Sequence, residues 1–386
     1  MAAKAGSERG RKLLRELDRW VGVPLLLLIS LLRPKRPKPA SFQSLGICVF
    51  AAIGDALLAS TLIGELKRAY PQLKITIFAT SANAGVFKLV GGWDDLVLVP
   101  ITQPLAAIRR VRAHPVDILL DTSQWPRIGA LICALSGAKW TLGFKTKGQD
   151  RHFSYDFVVN HSSETHELDN FRALLTPFGL KSAAIPQIDL SRLAGLNCLN
   201  IKQPYLVLHP WASGNHFELR EWPLQSWVEL ANLALKAGYG LLITGGPADK
   251  TRGDGLLAQI VQSQAKPLEQ GVLISLAGKV DLVTTTAYLL KSAGVVSVNT
   301  GTMHLAALLG LPLVALHGPT NPDRWGPIYP GSTSELTPIV LGPDRNAGGA
   351  YLNLGFEYPE NPAYLMNQIS VQDVVEALRK FSININ

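Results

Sequence analysis

Short runs of apolar residues alternate with stretches of helical periodicity along most of this chain, as they do in parallel α/β domains. In the first half, the apolar runs predict a parallel sheet of about five or six strands. The predicted strands are at 45–50, 74–78, 96–99, 117–120 and 139–143. The predicted helices are at 56–70, 105–112, 128–135 and 167–177, and a polar segment at 144–165 is predicted to be a loop.

The second half repeats the pattern and predicts a second doubly wound sheet. Its strands are predicted at 205–209, 240–244, 272–276, 295–298 and 313–316, and its helices at 225–237, after 249, and at 282–292, 303–309 and 371–381. Residues 180–203 lack periodicity and are the predicted linker. The predicted fold class is α/β, with two Rossmann-like domains at 40–190 and 200–360, a C-terminal helix within 361–386, and a ligand cleft between the domains.

The N-terminal arm, residues 1–39, departs from this pattern. It holds ten Lys or Arg and three acidic residues, so it carries seven of the eight net positive charges of the chain. Its apolar run at 21–32 is shorter than the roughly 20 residues that a membrane-spanning helix needs. We interpret the arm as an interfacial or re-entrant helix on an anionic leaflet, with Trp20 at headgroup depth and the basic residues of 11–38 on lipid phosphates. The alternative is a helix packed on the protein's own body or on a partner.

Two further features of the arm narrow its role. It has no small-residue cleavage site, and a basic, proline-rich run follows the apolar residues directly, which argues against a secretory signal. Pro34, Pro37 and Pro39 predict a stiff linker before the first strand.

Composition and motifs exclude several other classes of function. Outside the arm the chain is nearly neutral, unlike a nucleic-acid groove. The three cysteines (Cys48, Cys133 and Cys198) are widely spaced, and no HxxxH or HExxH spacing occurs, so we predict neither a disulfide framework nor a metal site. The GxGxxG, GxxxxGK[ST] and DxD patterns do not occur either. We therefore predict no cofactor, and a bound diphosphate would be neutralised by backbone N–H groups, a helix dipole and an arginine.

The stretch 294–327 reads as strand, turn, helix and strand, and it holds the leading candidate site. Its turn, formed by Asn299, Thr300, Gly301 and Thr302, places backbone N–H groups and a positive helix end at the carboxyl edge of a sheet, where anions bind. The alternative is an ordinary crossover without a ligand. His304, one turn into the helix, is a candidate ligand or a buried core histidine.

Three more loops follow predicted strands. Gly54 permits a tight turn before Asp55, which is either a general base or a helix N-cap. Ser213 and Arg220 suit an anion, with a solvated surface arginine as the alternative for Arg220. The remaining loop residues suit a ribose or base, with a helix cap as the alternative for the aspartate; they are Gly245, Gly246 and Asp249.

Three groups of segments together resemble the lipopolysaccharide heptosyltransferase family of glycosyltransferases. They are GDALLASTLIGELKRAYPQLKITIFA; LHPWAS with REWPLQSWVELA and GYGLLITGGPAD; and NTGTMHLAALLGLPLVALHGPTNPDRWGP, together spanning about residues 45–327. The resemblance implies a glycosyltransferase-B fold and an inverting, metal-independent transfer from ADP-heptose, with an N-terminal acceptor domain and a C-terminal nucleotide-sugar domain. It implies that Asp55 is the catalytic base. It also implies that Arg220, where the family usually has Lys, contacts phosphate, and that Asn299, Thr300 and Gly301 form the diphosphate turn.

Two positions depart from the family pattern: Asn299 replaces the usual Asp, and Trp211 replaces the usual Gly, which would reshape the donor pocket. The predicted function is transfer of a sugar from a nucleotide diphosphate to a lipid-linked envelope glycan such as lipopolysaccharide core, at the cytoplasmic face of the inner membrane. Two alternatives are a sugar-nucleotide epimerase of the same architecture and a non-catalytic nucleotide-sugar-binding or scaffold protein.

Overall fold

The computed structural model describes residues 12–50, 52–196, 201, 203–214, 216–330, 336–343, 352–353, 358 and 364–385. The chain divides into two compact units, Arg11–Asp189 and Leu190–Asn386, which we call the N-terminal and C-terminal units. Ala51, Cys198 and Asn215 lie outside the described residues, as do residues 1–11 and parts of 331–363.

The N-terminal unit is built on a six-stranded parallel sheet in the order β3-β2-β1-β4-β5-β6. The strands are β1 (Ser44–Val49), β2 (Lys74–Ala79), β3 (Asp95–Leu98), β4 (Ile118–Asp121), β5 (Trp140–Lys145) and β6 (Phe157–Asn160). The inner strands are apolar because helices cover both faces of the sheet. The predicted doubly wound sheet is confirmed, and its strand order reverses between β1 and β4.

Eight helices of the described residues belong to this unit: α1 (Lys12–Trp20), α2 (Gly22–Leu32), α3 (Ile53–Ala59), α4 (Thr61–Ala69), α5 (Ala84–Phe87), α6 (Pro104–Arg112), α7 (Arg127–Leu135) and α8 (Glu167–Ala173). The prediction of a single helix over 56–70 is wrong, because the helical stretch begins at Ile53 and is interrupted at Ser60. The Ser60 hydroxyl donates to the carbonyl of Leu57 at 2.6 Å, a local bond that competes with the helical pattern.

The predicted loop at 144–165 is also wrong, because it contains β6 and a short 3-10 helix at Arg151–Ser154. As an edge strand, β6 is only partly covered, so its sequence lacks the continuous apolar run that marks the inner strands.

The C-terminal unit repeats the architecture, with strand order β12-β11-β10-β7-β8-β9. Its strands are β7 (Tyr205–His209), β8 (Gly240–Ile243), β9 (Leu273–Ser275), β10 (Gly294–Val298), β11 (Leu313–Leu316) and β12 (Ile339–Leu341). Its helices are α9 (Leu224–Lys236), α10 (Lys250–Gln262), α11 (Leu282–Leu290), α12 (Gly301–Leu308), α13 (Pro322–Trp325) and α14 (Val371–Lys380). Each predicted strand and helix of this half is present, and the strand order reverses between β7 and β10.

The arm packs on the N-terminal unit through one side of its two helices. Asp18 of α1 accepts hydrogen bonds from the first backbone N–H groups of α7, at Arg127 and Ile128 (2.8 and 3.2 Å). Gly22 and Leu26 of α2 are buried, and a Cβ on Gly22 would lie 3.0 Å from the Arg127 side chain. Among the described residues no helix is long and apolar enough to cross a membrane.

Three of the arm's cations have partners within the unit, and one of them, Lys38, donates through Nζ to the backbone carbonyl of Pro177 at 2.8 Å. Arg33 and Arg36 both donate to Asp156 Oδ2 at 2.8 Å, and Asp156 has no exposed side-chain surface. The prediction that the arm's basic residues bind lipid phosphates is therefore wrong for these two arginines. The proline-containing segment between them is held against the unit.

Candidate functional site

The predicted loops lie at the carboxyl ends of strands on either side of the switch point in each sheet. In the N-terminal unit the loop after β1 leads to Gly54 and Asp55. In the C-terminal unit the loops after β7 and β10 carry Ser213 and Thr300, and the loop after the neighbouring β8 carries Gly245. Open parallel sheets bind ligands at these edges, so each unit presents a candidate site of its own.

Asp55 is half-buried in the first turn of α3. The N-cap residue of that helix is Ala52, so the alternative that Asp55 is an N-cap is wrong. The positive end of α3 favours a carboxylate at this position. Gly54 precedes it as a buried helical residue.

A buried polar network that the sequence did not predict lies at the same edge, after β4. Asp121 Oδ2 accepts hydrogen bonds from the Arg151 guanidinium at 2.5 Å and from the Tyr155 hydroxyl at 2.6 Å, and Arg151 also donates to the Ser123 carbonyl. All three network side chains are buried, and burial raises the pKa of the Tyr155 phenol well above its usual value. The network fixes the loop that follows β4.

A second buried network lies beside the first. Glu167, at the start of α8, accepts a hydrogen bond from Gln124 Nε2 at 2.7 Å and contacts His161 Nε2 at 3.1 Å. Because α8 packs against α3, the helix of Asp55, this network supports the position of Asp55 from one side. The sequence signal was weak, since His161 belongs to the segment that reads as a polar loop, and Glu167 is only the first residue of the helix predicted at 167–177.

In the C-terminal unit, the turn after β10 leaves the start of α12 without a side-chain cap. Thr300 is the N-cap residue, and its side chain makes no capping hydrogen bond. Gly301 and Thr302 open the helix, so their backbone N–H groups stand at its positive end. An anion would find donors there. His304 is buried within the helix.

Asn299 belongs to a hydrogen-bonded group beneath this turn. Its Nδ2 donates to Thr320 Oγ1 at 2.9 Å and lies 3.1 Å from Nδ1 of His317. Burial lowers the pKa of His317 to about 4, so its imidazole is neutral at pH 7, and its Nδ1 also lies 3.4 Å from the Thr320 carbonyl. Asn299 therefore positions the turn through an uncharged bond.

The loop after β7 brings two predicted residues together. The side chain of Arg220 is half-buried, and its guanidinium donates to the backbone carbonyl of Ser213. His209, at the end of β7, hydrogen-bonds through Nδ1 to Thr244 Oγ1 at 2.9 Å. Burial lowers the pKa of His209 to about 4, which makes this a neutral, structural contact.

The loop after β8 is compact. The Asp249 carboxylate accepts the backbone N–H of Gly246 at 2.8 Å, which is a capping-box contact of the short 3-10 helix Pro247–Asp249 directly before α10. The helix-cap alternative for Asp249 thus holds for this 3-10 helix. Burial raises the pKa of Asp249. Gly245 has no room for a side chain, because a Cβ there would lie 2.6 Å from Cδ1 of the buried Trp211. Trp211 thus packs directly against the predicted nucleotide loop.

Comparison with known proteins gives consistent matches. The profile of "Glycosyltransferase family 9 (heptosyltransferase)" matches residues 105–345. The lipopolysaccharide core heptosyltransferase OpsX of Haemophilus influenzae is 23% identical over 360 residues, covering 88% of this chain and 97% of that protein. Lipopolysaccharide heptosyltransferase 2 of Escherichia coli K12 is 32% identical over 301 residues, covering 72% of this chain and 83% of that protein.

Solved structures agree on the fold. The ADP-heptose lps heptosyltransferase II of E. coli superposes with a TM-score of 0.67 at 20% identity, over 88% of this chain and 98% of that chain. The E. coli heptosyltransferase WaaC with ADP superposes with a TM-score of 0.65 at 18% identity, over 88% of this chain and 99% of that chain. The two Rossmann-like units therefore share the architecture of these enzymes.

Proposed function

This chain belongs to glycosyltransferase family 9, the heptosyltransferase family, and from that membership we propose that it transfers a heptose from ADP-heptose to a lipopolysaccharide core. The observation that carries the proposal is the family match over residues 105–345, which includes the loops after β7, β8 and β10. The proteins that this chain resembles include a lipopolysaccharide core heptosyltransferase and an ADP-heptose lps heptosyltransferase.

On the donor side, the proposed groups that bind the diphosphate are positive or uncharged. The diphosphate lies at the uncapped start of α12, where the N–H groups of Gly301 and Thr302 meet it, and Arg220 supplies a cation. As the glycosidic bond to phosphate breaks, these donors stabilise the negative charge that develops on ADP. Asp249 and the Gly245–Gly246 turn receive the nucleoside, and no metal is needed for this arrangement.

On the acceptor side, Asp55 is the proposed general base. Its carboxylate takes the proton of an acceptor hydroxyl while that oxygen attacks the anomeric carbon, and ADP leaves from the opposite face with inversion. Its place in the first turn of α3 favours the charged form that a base requires.

The arm is the proposed contact with an anionic membrane, through exposed apolar residues of α2 and of the end of α1 and not through Arg33 and Arg36. These apolar residues form a stripe on the side that faces away from the unit, with Leu31 at 83%, Leu32 at 75% and Trp20 at 72% exposure. Its other exposed apolar residues are Leu17, Val21, Leu25, Leu27 and Leu28. Surface apolar stripes of this kind insert into the headgroup boundary of a leaflet.

Cations lie close to one end of this stripe. Lys35, three positions after Leu32, is exposed, and so is Lys145. The pKa of His152 is lowered first by burial and then by Lys145 and Lys35, while Asp150 opposes this shift. His152 lies in the 3-10 helix against which α2 packs. An apolar stripe with neighbouring lysines matches an anionic leaflet. We therefore place the enzyme peripherally at the cytoplasmic face of the inner membrane, where a lipid-linked acceptor is at hand.

One assay tests the reaction. The purified chain is incubated with ADP-heptose and heptose-free lipopolysaccharide, with and without EDTA, and ADP release and the mass of the glycolipid are followed. We expect acceptor-dependent ADP release with a heptose added to the acceptor, unaffected by EDTA. An epimerised donor without acceptor would favour the epimerase instead, and donor binding without turnover would favour a scaffold.

A further inference from the structure

Arg252 contacts every predicted donor segment except the α12 turn, although it was not a predicted site residue. It lies in the first turn of α10. Its guanidinium carbon lies 4.3 Å from the ring centre of Trp211, in the loop after β7, and 5.4 Å from that of Phe217. It forms a two-point ion pair with Glu221, and its Nη1 lies 3.6 Å from Asp249 Oδ1.

Each of these contacts leads directly to a donor loop. Glu221 follows Arg220 in the chain, and its Oε1 accepts the backbone N–H of Ala212 at 2.9 Å, which fixes the loop after β7. Asp249 accepts the N–H of Gly246, which fixes the loop after β8. Trp211, held under Arg252, fills the space beside Gly245. The guanidinium thus joins the loop after β7, which continues to Arg220 and Glu221, to the loop after β8; Glu221 and Arg252 are 31 positions apart in the chain.

The contacts around Arg252 depend on its charge and its planar shape. Burial raises the pKa of Glu221, while the ion pair with Arg252 and the Ala212 N–H oppose that shift. A planar guanidinium can stack on an indole and pair with a carboxylate at two points at once, which an ammonium cannot. If the cation is removed, a largely buried carboxylate loses its partner.

We propose that Arg252 is the positioning residue of the donor site, holding the loops after β7 and β8 in the arrangement that binds the nucleotide diphosphate. The inference rests on the proposed function, since it assigns these loops to ADP-heptose. Arg252 does not contact the reacting atoms. Its loss therefore raises KM for the donor and leaves kcat nearly unchanged.

The test compares variants of the full chain by calorimetric titration with ADP and by steady-state transfer kinetics. Arg252→Met keeps the apolar stem over Trp211 and removes the charge, whereas Arg252→Lys keeps the charge and removes the two-point geometry. Lys250→Met is the control, because Lys250 lies in the same turn and only approaches Asp254 at the surface, at 3.9 Å. Glu221→Gln keeps an acceptor for the Ala212 N–H without a charge.

We expect Arg252→Met to weaken ADP binding by about tenfold or more, which is about 1.4 kcal/mol or more. We expect KM for ADP-heptose to rise in parallel, kcat to stay within about threefold, and Lys250→Met to match the wild type. The ADP affinity of Arg252→Lys should lie between those of Arg252→Met and the wild type. Adding Glu221→Gln to Arg252→Met should restore part of the affinity, because no buried carboxylate is then left unpaired.

Either of two results would overturn the proposal: ADP affinity of folded Arg252→Met within about twofold of the wild type, or a loss confined to kcat. If a thermal melt shows that Arg252→Met is not folded, the ADP affinity and the kinetics of Arg252→Lys are judged by the same two criteria. Wild-type protein that neither binds ADP nor transfers sugar would refute the proposed function itself, and the two failures are thereby distinguished.

Discussion

Arg33, at the end of α2, donates to the carboxylate of Asp156, just before β6, at 2.8 Å across 123 positions of the chain. The same carboxylate accepts hydrogen bonds from the Arg36 guanidinium and from the backbone N–H of Thr141 in the neighbouring β5, both at 2.8 Å. A buried charge with this many donors is well satisfied. The end of the arm is therefore part of the N-terminal unit, and α2 holds a fixed position on it.

Replacing Asp156 with Asn should release the arm. Two arginines would lose their anionic partner, and we expect the unfolding free energy to fall by about 2–4 kcal/mol. Thermal melts and limited proteolysis before residue 40 would measure the two effects. The control is Lys139→Ala, which removes a more exposed pair with Asp117 and should change stability by no more than about 1 kcal/mol. Equal protease resistance of Asp156→Asn and the wild type would contradict a clamped arm.

Replacing Asp55 with Asn should lower the transfer rate by about a hundredfold to ten-thousandfold, because the amide cannot take the proton of the acceptor hydroxyl. ADP binding should be nearly unchanged, because the proposed donor groups belong to the C-terminal unit. Asp95→Asn, at the exposed start of β3, is the matched control and should leave turnover intact. Turnover of Asp55→Asn close to that of the wild type would remove Asp55 from the mechanism.

Two buried histidines of the C-terminal unit should make stability depend on pH. Burial lowers the pKa of both His209 and His317 to about 4, whereas an unfolded histidine titrates near about 6.5. Between these values the unfolded chain binds more protons than the folded one. Stability should therefore fall as pH drops from about 6.5 towards 4, by up to about 1.4 kcal/mol per pH unit for each histidine.

Denaturant unfolding at pH 7, 6 and 5 measures this dependence. His317→Asn keeps a polar group near the Asn299 amide but cannot titrate. The unfolding free energy of this variant should therefore change less with pH than that of the wild type, by the contribution of one histidine. An identical slope in His317→Asn and the wild type would show that His317 does not contribute.

Charges on the exposed stripe of the arm should block membrane binding. Leu28 and Leu31 are 51% and 83% exposed, so Leu28→Glu with Leu31→Glu adds two negative charges without disturbing the packed side of α2. We expect co-sedimentation with phosphatidylglycerol vesicles to weaken by about tenfold or more. Val261→Glu, on an apolar residue of the C-terminal unit with 46% exposure, is the control. Unchanged sedimentation of the double variant would refute the proposed membrane contact.

The sequence predicted those parts of the fold that depend on local patterns. Inner strands such as β7 carry their own apolar signal, and the turn at Thr300 is readable because small polar residues follow a buried strand. Ser213 and Arg220 were predicted as anion-binding residues, but the hydrogen bond between them was not predicted.

Contacts between segments that are distant in the chain could not be predicted from the sequence. Arg33 and Arg36 look like membrane-binding cations until Asp156 is seen beside them, because nothing local marks that aspartate as their partner. Arg252 looks like a surface residue of α10, and its pairing with Glu221, 31 positions earlier, arises only from the folded chain. The edge strand β6 was missed because partial burial leaves a weak apolar pattern.

Trp211 and Arg252 also border a cavity of about 670 Å³, together with Leu224, Gln259 and Tyr364. The described residues that line it include neither Thr300 nor Gly301, and Glu218, Glu221 and Arg252 supply its charged groups. The ion pair that joins the loops after β7 and β8 therefore lies at the wall of this cavity, where solvent and small solutes reach it.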